Sequence, residues 1–126
     1  MLALSGDLGA GKSVLARAVA HGAGVHGHMP SPTFNLVFRY ETEAGPVMHL
    51  DLYRLAREAE VWELGWSELG EVGDIALIEW PERAAKLLPR DRWDVRLDEV
   101  AGEPLLRAVS ARAVGDPPPL PPLEAA

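Results

Sequence analysis

The chain has 126 residues, no cysteine and a formal net charge of −7. That length holds one domain with a real core but is small for a doubly wound nucleotide-binding sheet, and the missing thiols exclude a disulfide scaffold or a thiolate metal site. The acidic balance excludes a chain that holds tRNA or DNA by itself, because proteins that neutralise phosphates present a basic face.

From the N-terminus, Met1 to Leu4 lacks the positive flank and long apolar core of a signal peptide. No apolar run reaches bilayer length, so a cytoplasmic protein with no membrane role is expected. Leu2-Ala3-Leu4 reads as a short strand, followed by a glycine-rich loop and a helix over Ser13 to Ala20, with Val14, Leu15, Ala18 and Val19 on one face. Gly22 and Gly24 end that helix, and Pro30 and Pro32 keep the next stretch out of helical geometry. Alternation over Phe34 to Tyr40 predicts a half-buried strand, a turn at Glu41 to Pro46 and a return strand Val47 to Leu52, with His49 and Asp51 sharing a face.

Ala56 to Leu69 reads as two short helical pieces broken at Gly65. Ile75-Ala76-Leu77-Ile78 is an unbroken apolar run, as in a central parallel strand, and Glu79 closes it. Pro81 opens a helix that Pro89 stops. Trp93, Val95 and Leu97 alternate with charged residues, and Leu105 to Ala111 is their antiparallel partner across a turn at Ala101-Gly102. Five prolines within 117–122 preclude a ladder or helix there. The predicted fold is α/β and P-loop NTPase-like: a small, mostly parallel sheet flanked by helices, with antiparallel hairpin strands. Residues 1–112 form one domain, and 113–126 are an extended or disordered tail.

Gly6-Asp7-Leu8-Gly9-Ala10-Gly11-Lys12-Ser13 fits G-x-x-x-x-G-K-[ST] without mismatch, between a strand and an amphipathic helix. Glycines let backbone N–H groups turn inward and form an anion nest at the positive end of the helix. Lys12 would reach the β- and γ-phosphates of ATP as a point charge, and the Ser13 hydroxyl would ligate the bridging Mg²⁺. The nucleotide-binding set therefore runs over Gly6, Asp7, Leu8, Gly9, Ala10, Gly11, Lys12, Ser13 and Val14.

Such a loop needs acids at neighbouring strand ends to complete the metal site and orient water. Glu79, at the end of a buried strand, has the placement of a Walker-B acid. Asp51 reads equally as a turn residue or a site acid. The four histidines have no metal-binding spacing and receive no role. A Ras-like GTPase is excluded in the sequence pattern: the single asparagine, Asn35, precedes Leu36, no Asp has Gly three positions on, and there is no glutamine. A small-molecule kinase using Arg54, Arg57 or Arg83, and a nucleotide-sensing module with little hydrolysis, remain as alternatives to an ATPase.

Four segments in order resemble the TsaE (YjeE) ATPases of bacterial tRNA threonylcarbamoyladenosine synthesis: Gly6 to Ser13, Ser31-Pro-Thr-Phe34, Asp51-Leu-Tyr-Arg54 and Leu77-Ile-Glu-Trp-Pro-Glu-Arg83. The resemblance implies Mg²⁺-dependent conversion of ATP to ADP and phosphate, activated by the partners TsaB and TsaD, without direct contact with tRNA. It implies nucleotide-binding and catalytic roles for Lys12, a switch-like Thr33 near the γ-phosphate, a metal site of Ser13, Asp51 and Glu79, and a family tryptophan at Trp80 that reads equally as a core aromatic. Such proteins carry a helix and strand upstream of the P-loop, where this chain has five residues, so either the start is assigned too late or this member is naturally short.

Overall fold

The computed structural model describes residues 1–7, 9–27, 37–43, 45–55, 57, 60 and 75–119. Apart from Arg57 and Glu60, the predicted helical pieces over 56–69 lie outside that set, as do the loop containing Thr33, and Leu8.

Six strands form one sheet: β1 (Leu2–Ser5), β2 (Val37–Thr42), β3 (Gly45–Asp51), β4 (Ile75–Glu79), β5 (Arg92–Val100) and β6 (Glu103–Val114), in the order β2-β3-β4-β1-β5-β6. The inner pairs β3–β4, β4–β1 and β1–β5 are parallel, while β2–β3 and β5–β6 are antiparallel hairpins. The α/β, mostly parallel architecture expected from the sequence is therefore the one observed. Buried strands need apolar side chains on both faces. In β4, Leu77 packs on the face that carries the helix and Ile78 on the opposite face.

Helix α1 (Lys12–Gly22) begins at Gly11, whose φ of 102° is left-handed, and covers one face of the sheet over Leu4, Val47, Leu77, Val95 and Leu97. Its buried stripe differs from the expected one. Lys12, Ala16 and Ala20 face inward, while Val14 is 64% exposed and Ala18 is exposed. The i, i+4 alanines let the backbone lie close to the sheet, and larger residues at those positions would lift the helix away. Leu15 and Val19 flank the stripe, half-buried.

On the opposite face, Met48, Leu50, Leu52, Leu55, Ile78 and Ala84 form a second core beneath a 3₁₀ segment, Pro81–Leu87. An α-helix was expected there. Trp80 enters in the left-handed region (φ 57°, ψ 51°) and Ala84 is non-helical (φ −135°, ψ 37°), so no continuous α-helical ladder can form.

The β2–β3 turn is also tighter than expected. Thr42 pairs with Gly45 and Glu41 with Pro46, so both ends of the predicted turn belong to strands. Pro46 is tolerated because it precedes Val47, the first β3 residue in register with β4, and its missing N–H deprives no inner neighbour. Strand β6 runs past the expected Ala111 to Val114. Beyond it, the Asp116 amide donates to Asp91 Oδ1 at 2.8 Å and the Trp93 indole N–H donates to the Pro118 carbonyl at 2.8 Å.

A P-loop with two acids and a buried histidine

Parallel strands β1, β3 and β4 all end on one edge of the sheet, the edge at which open α/β sheets bind ligands. The glycine loop leaves β1 there. Gly6, Gly9 and Gly11 have φ values of 147°, 83° and 102°. At Gly6 a side chain would also collide with the sheet, since a Cβ there would lie 2.5 Å from the Leu97 carbonyl oxygen. Only glycine satisfies both conditions. The Ala10 amide closes the loop onto Asp7 O at 3.0 Å, and among the described residues the amides of Gly9, Gly11, Lys12 and Ser13 donate to no protein acceptor. Free amides at a helix start form a nest for an anion.

Lys12 is 5% exposed. Its ammonium donates to the carbonyls of Gly6 and Asp7, the latter at 2.9 Å, and lies 4.1 Å from the centre of the Trp80 ring. The left-handed turn at Trp80 brings that ring over the loop, where Tyr53 packs on it at 4.9 Å between centroids.

Ser13, one residue on, donates its hydroxyl to Glu79 Oε1 at 2.8 Å. Glu79 is 2% exposed, and its other oxygen, Oε2, lies 2.6 Å from His49 Nε2. Sheet register explains the cluster. Asp51 stands opposite Glu79 and His49 opposite Leu77, so His49 and Glu79 are diagonal neighbours on the α1 face. The Asp51 carboxylate accepts the Tyr53 amide at 3.0 Å.

Burial raises the Asp51 pKa above its ordinary 3.8; the Tyr53 amide opposes the shift and the Glu79 carboxylate reinforces it. For an acid raised in this way, the ionised form is disfavoured in the folded chain. The cost is fully present above the folded pKa and disappears as pH falls through it towards 3.8. Asp51→Asn keeps the acceptor for Tyr53 and removes the charge. It is therefore expected to raise the denaturation midpoint of the nucleotide-free chain at pH 7, with the advantage shrinking as pH is lowered towards 4. Urea titrations at the two pH values check this.

The donor set fits a hard cation. Ser13 Oγ and the Glu79 and Asp51 carboxylates are all oxygen ligands, and two carboxylates in register repel each other until a positive charge lies between them. Among the described residues no group of three or more His, Cys, Asp or Glu forms a metal cage. Mg²⁺ ordinarily uses one or two carboxylates and takes its remaining ligands from phosphate and water.

Of the residues singled out in the sequence, Gly6, Asp7, Gly9, Ala10, Gly11, Lys12, Ser13, Asp51 and Glu79 meet at this edge. Val14 lies on the exposed side of α1, and Thr33 and Leu8 fall outside the described residues. His49 was given no role. Its signal was a polar residue among the apolar Val47, Met48, Leu50 and Leu52, on the face already assigned to Asp51.

A family model described as "Threonylcarbamoyl adenosine biosynthesis protein TsaE" matches residues 1–107. The chain belongs to the TsaE family. Among relatives named tRNA threonylcarbamoyladenosine biosynthesis protein TsaE, the one from Haemophilus influenzae is 40% identical over 98 residues, which are 78% of this chain and 62% of that protein. The TsaE of Bacillus subtilis is 32% identical over 116 residues, covering 92% of this chain and 71% of the relative. A crystal structure of B. subtilis YdiB superposes with a TM-score of 0.67 at 27% identity, covering 90% of this chain and 68% of that one. The site thus sits in a TsaE-family sheet, and three of the four segments that suggested the family form its P-loop and the ends of β3 and β4, while Ser31 to Phe34 lies outside the described residues. No helix among the described residues is long and apolar enough to cross a membrane.

Proposed function

We propose that the chain is the ATP-hydrolysing member of the TsaE system, cytoplasmic and acting with TsaB and TsaD in tRNA threonylcarbamoyladenosine synthesis without touching tRNA itself. The observation that carries this reading is the 2.8 Å contact between Ser13 Oγ and Glu79 Oε1, beside Lys12 and a glycine loop in which the amides of Gly9, Gly11, Lys12 and Ser13 have no acceptor among the described residues. Because the Ser13 hydroxyl donates to Glu79, its lone pairs stay available to a cation, and serine and carboxylate converge on one point. The family membership supplies the pathway, and the acidic net charge of −7 supports a protein partner rather than RNA.

In this reading the loop amides and Lys12 bind the β- and γ-phosphates of ATP, leaving ADP after hydrolysis, and Thr33 lies near the γ-phosphate. Ser13, Glu79 and Asp51 hold Mg²⁺, which when bound neutralises charge that develops on the transferring phosphoryl group. Glu79 and Asp51 divide the tasks of holding the ion and orienting the attacking water. Residues 1–114, through the last residue of β6, act as one domain, and the residues after it as its tail.

Phosphate release from ATP, measured with Mg²⁺ or EDTA and with or without purified TsaB and TsaD, tests the reading. Mg²⁺-dependent release that rises when the partners are added is expected. No release in any of the four conditions overturns it.

A further inference from the structure

His49 is fully buried, yet a purely structural role suits it poorly. Its neighbours on the α1 face, Val47 and Leu77, are aliphatic, and an aliphatic residue would fill the same interior without polar atoms to satisfy. Only one ring nitrogen is satisfied. Nε2 meets Glu79 Oε2 at 2.6 Å, whereas Nδ1 is buried without a hydrogen-bond partner among the described residues. An unpaired buried nitrogen is destabilising. The position therefore carries a cost that the contact with Glu79 alone offsets.

A carboxylate can rotate about its last torsion and present either oxygen, or neither, to the loop. In Glu79 both oxygens are held. An ionised carboxylate only accepts, so His49 Nε2 carries the proton and donates to Oε2, and Ser13 takes Oε1. The imidazole is itself immobile, since it is fully buried on β3, and β3 is locked in register with β4 from Val47 to Asp51.

We infer that His49 is a positioning residue: it anchors one oxygen of Glu79 so that the other stays aimed at Ser13 and at the cation those two residues share. This rests on the ATPase reading above and assigns to His49 a task that the glycine loop and the acids do not perform.

The test contrasts two amides that differ mainly in reach. In His49→Gln the terminal N–H group can occupy the place of Nε2 and donate to Glu79, while in His49→Asn it falls near the position of Nδ1 and cannot. Manganese binding in the presence of ADP, followed by electron paramagnetic resonance, reads the cation site without requiring turnover. Metal-free ADP affinity reads the nucleotide site, and kcat with Mg²⁺ and ATP reads its use. His49→Asn is expected to weaken Mn²⁺ binding and lower kcat by about 10- to 100-fold with metal-free ADP affinity unchanged, and His49→Gln to restore most of both. If His49→Asn fails to fold, His49→Met fills the same space without a donor and takes its place.

Wild-type Mn²⁺ affinity and kcat in the variant lacking the donor would overturn the assignment alone, as would a Gln variant as impaired as the Asn one. If the wild-type chain binds no Mn²⁺ with ADP, the ATPase reading fails and the assignment fails with it.

Discussion

Glu79→Gln is expected to lower kcat for ATP hydrolysis by about 10²- to 10⁴-fold while ATP affinity changes by less than about tenfold, or 1.4 kcal/mol. The substitution conserves volume in a site where the carboxylate is 2% exposed, so the packing of β4 against α1 survives. The local hydrogen bonds survive as well. The amide oxygen still accepts from Ser13, and the amide N–H group can donate to His49 once the imidazole proton moves from Nε2 to Nδ1, which has no partner among the described residues. What disappears is one negative charge at the point where Ser13 and the strand end converge. A steady-state phosphate-release assay beside calorimetric titration with ATP separates the two effects. An unchanged kcat would remove Glu79 from the chemistry.

Lys12→Ala is expected to act on binding. Loss of a charge-assisted contact to phosphate costs about 1.5–3 kcal/mol, which is roughly a 10- to 150-fold weaker affinity for ATP. Two features of the site push the effect towards the upper end. Lys12 is buried and its ammonium is already held by two loop carbonyls and the Trp80 face, so little side-chain entropy is lost when phosphate arrives. Its charge also steadies Asp51, whose carboxylate is opposed by burial and by Glu79. Removing it leaves the two in-register acids facing incoming phosphate with less positive charge between them. Equal ATP affinity in the variant and the parent, measured by calorimetry at one salt concentration, would contradict this account.

The parts of the fold that were legible in the sequence are those where local chemistry leaves one choice. Three glycines in left-handed geometry between an apolar strand and a helix permit little else, and the run Ile75–Ile78 has too many apolar residues for a strand with a wet face. The β5–β6 hairpin was legible from its alternation and from Gly102, whose φ is 77°. The α1 face was not. Val14 is the kind of residue that usually points inward, but the space under this helix admits only Ala16 and Ala20, and that clearance is a property of the sheet rather than of the helix. The segment after Pro81 was misread for a related reason. Its helix-forming residues follow a tryptophan whose left-handed turn is sustained by contacts with Lys12 and Tyr53, which lie 68 and 27 positions earlier in the chain.

The site divides along the same line. Gly6 to Ser13 is contiguous, so its motif was visible directly, and Glu79 was visible as the end of a buried strand. Asp51 could not be decided between turn and site because the distinction lies in register: it stands opposite Glu79 only once β3 and β4 are paired. His49 was passed over because its partner is 30 residues away and no spacing rule connects a strand histidine to a strand-end glutamate.

The central claim is that polyphosphate seats on the amides between residues 6 and 13. Titration of ¹⁵N-labelled protein with Mg²⁺ and ATP, followed by amide chemical shifts, measures this most directly. The largest shifts are expected at Gly9, Gly11, Lys12 and Ser13, with smaller ones near Asp51 and Glu79. Saturating nucleotide that leaves those four amides in place, or moves only residues elsewhere on the sheet, would contradict the account.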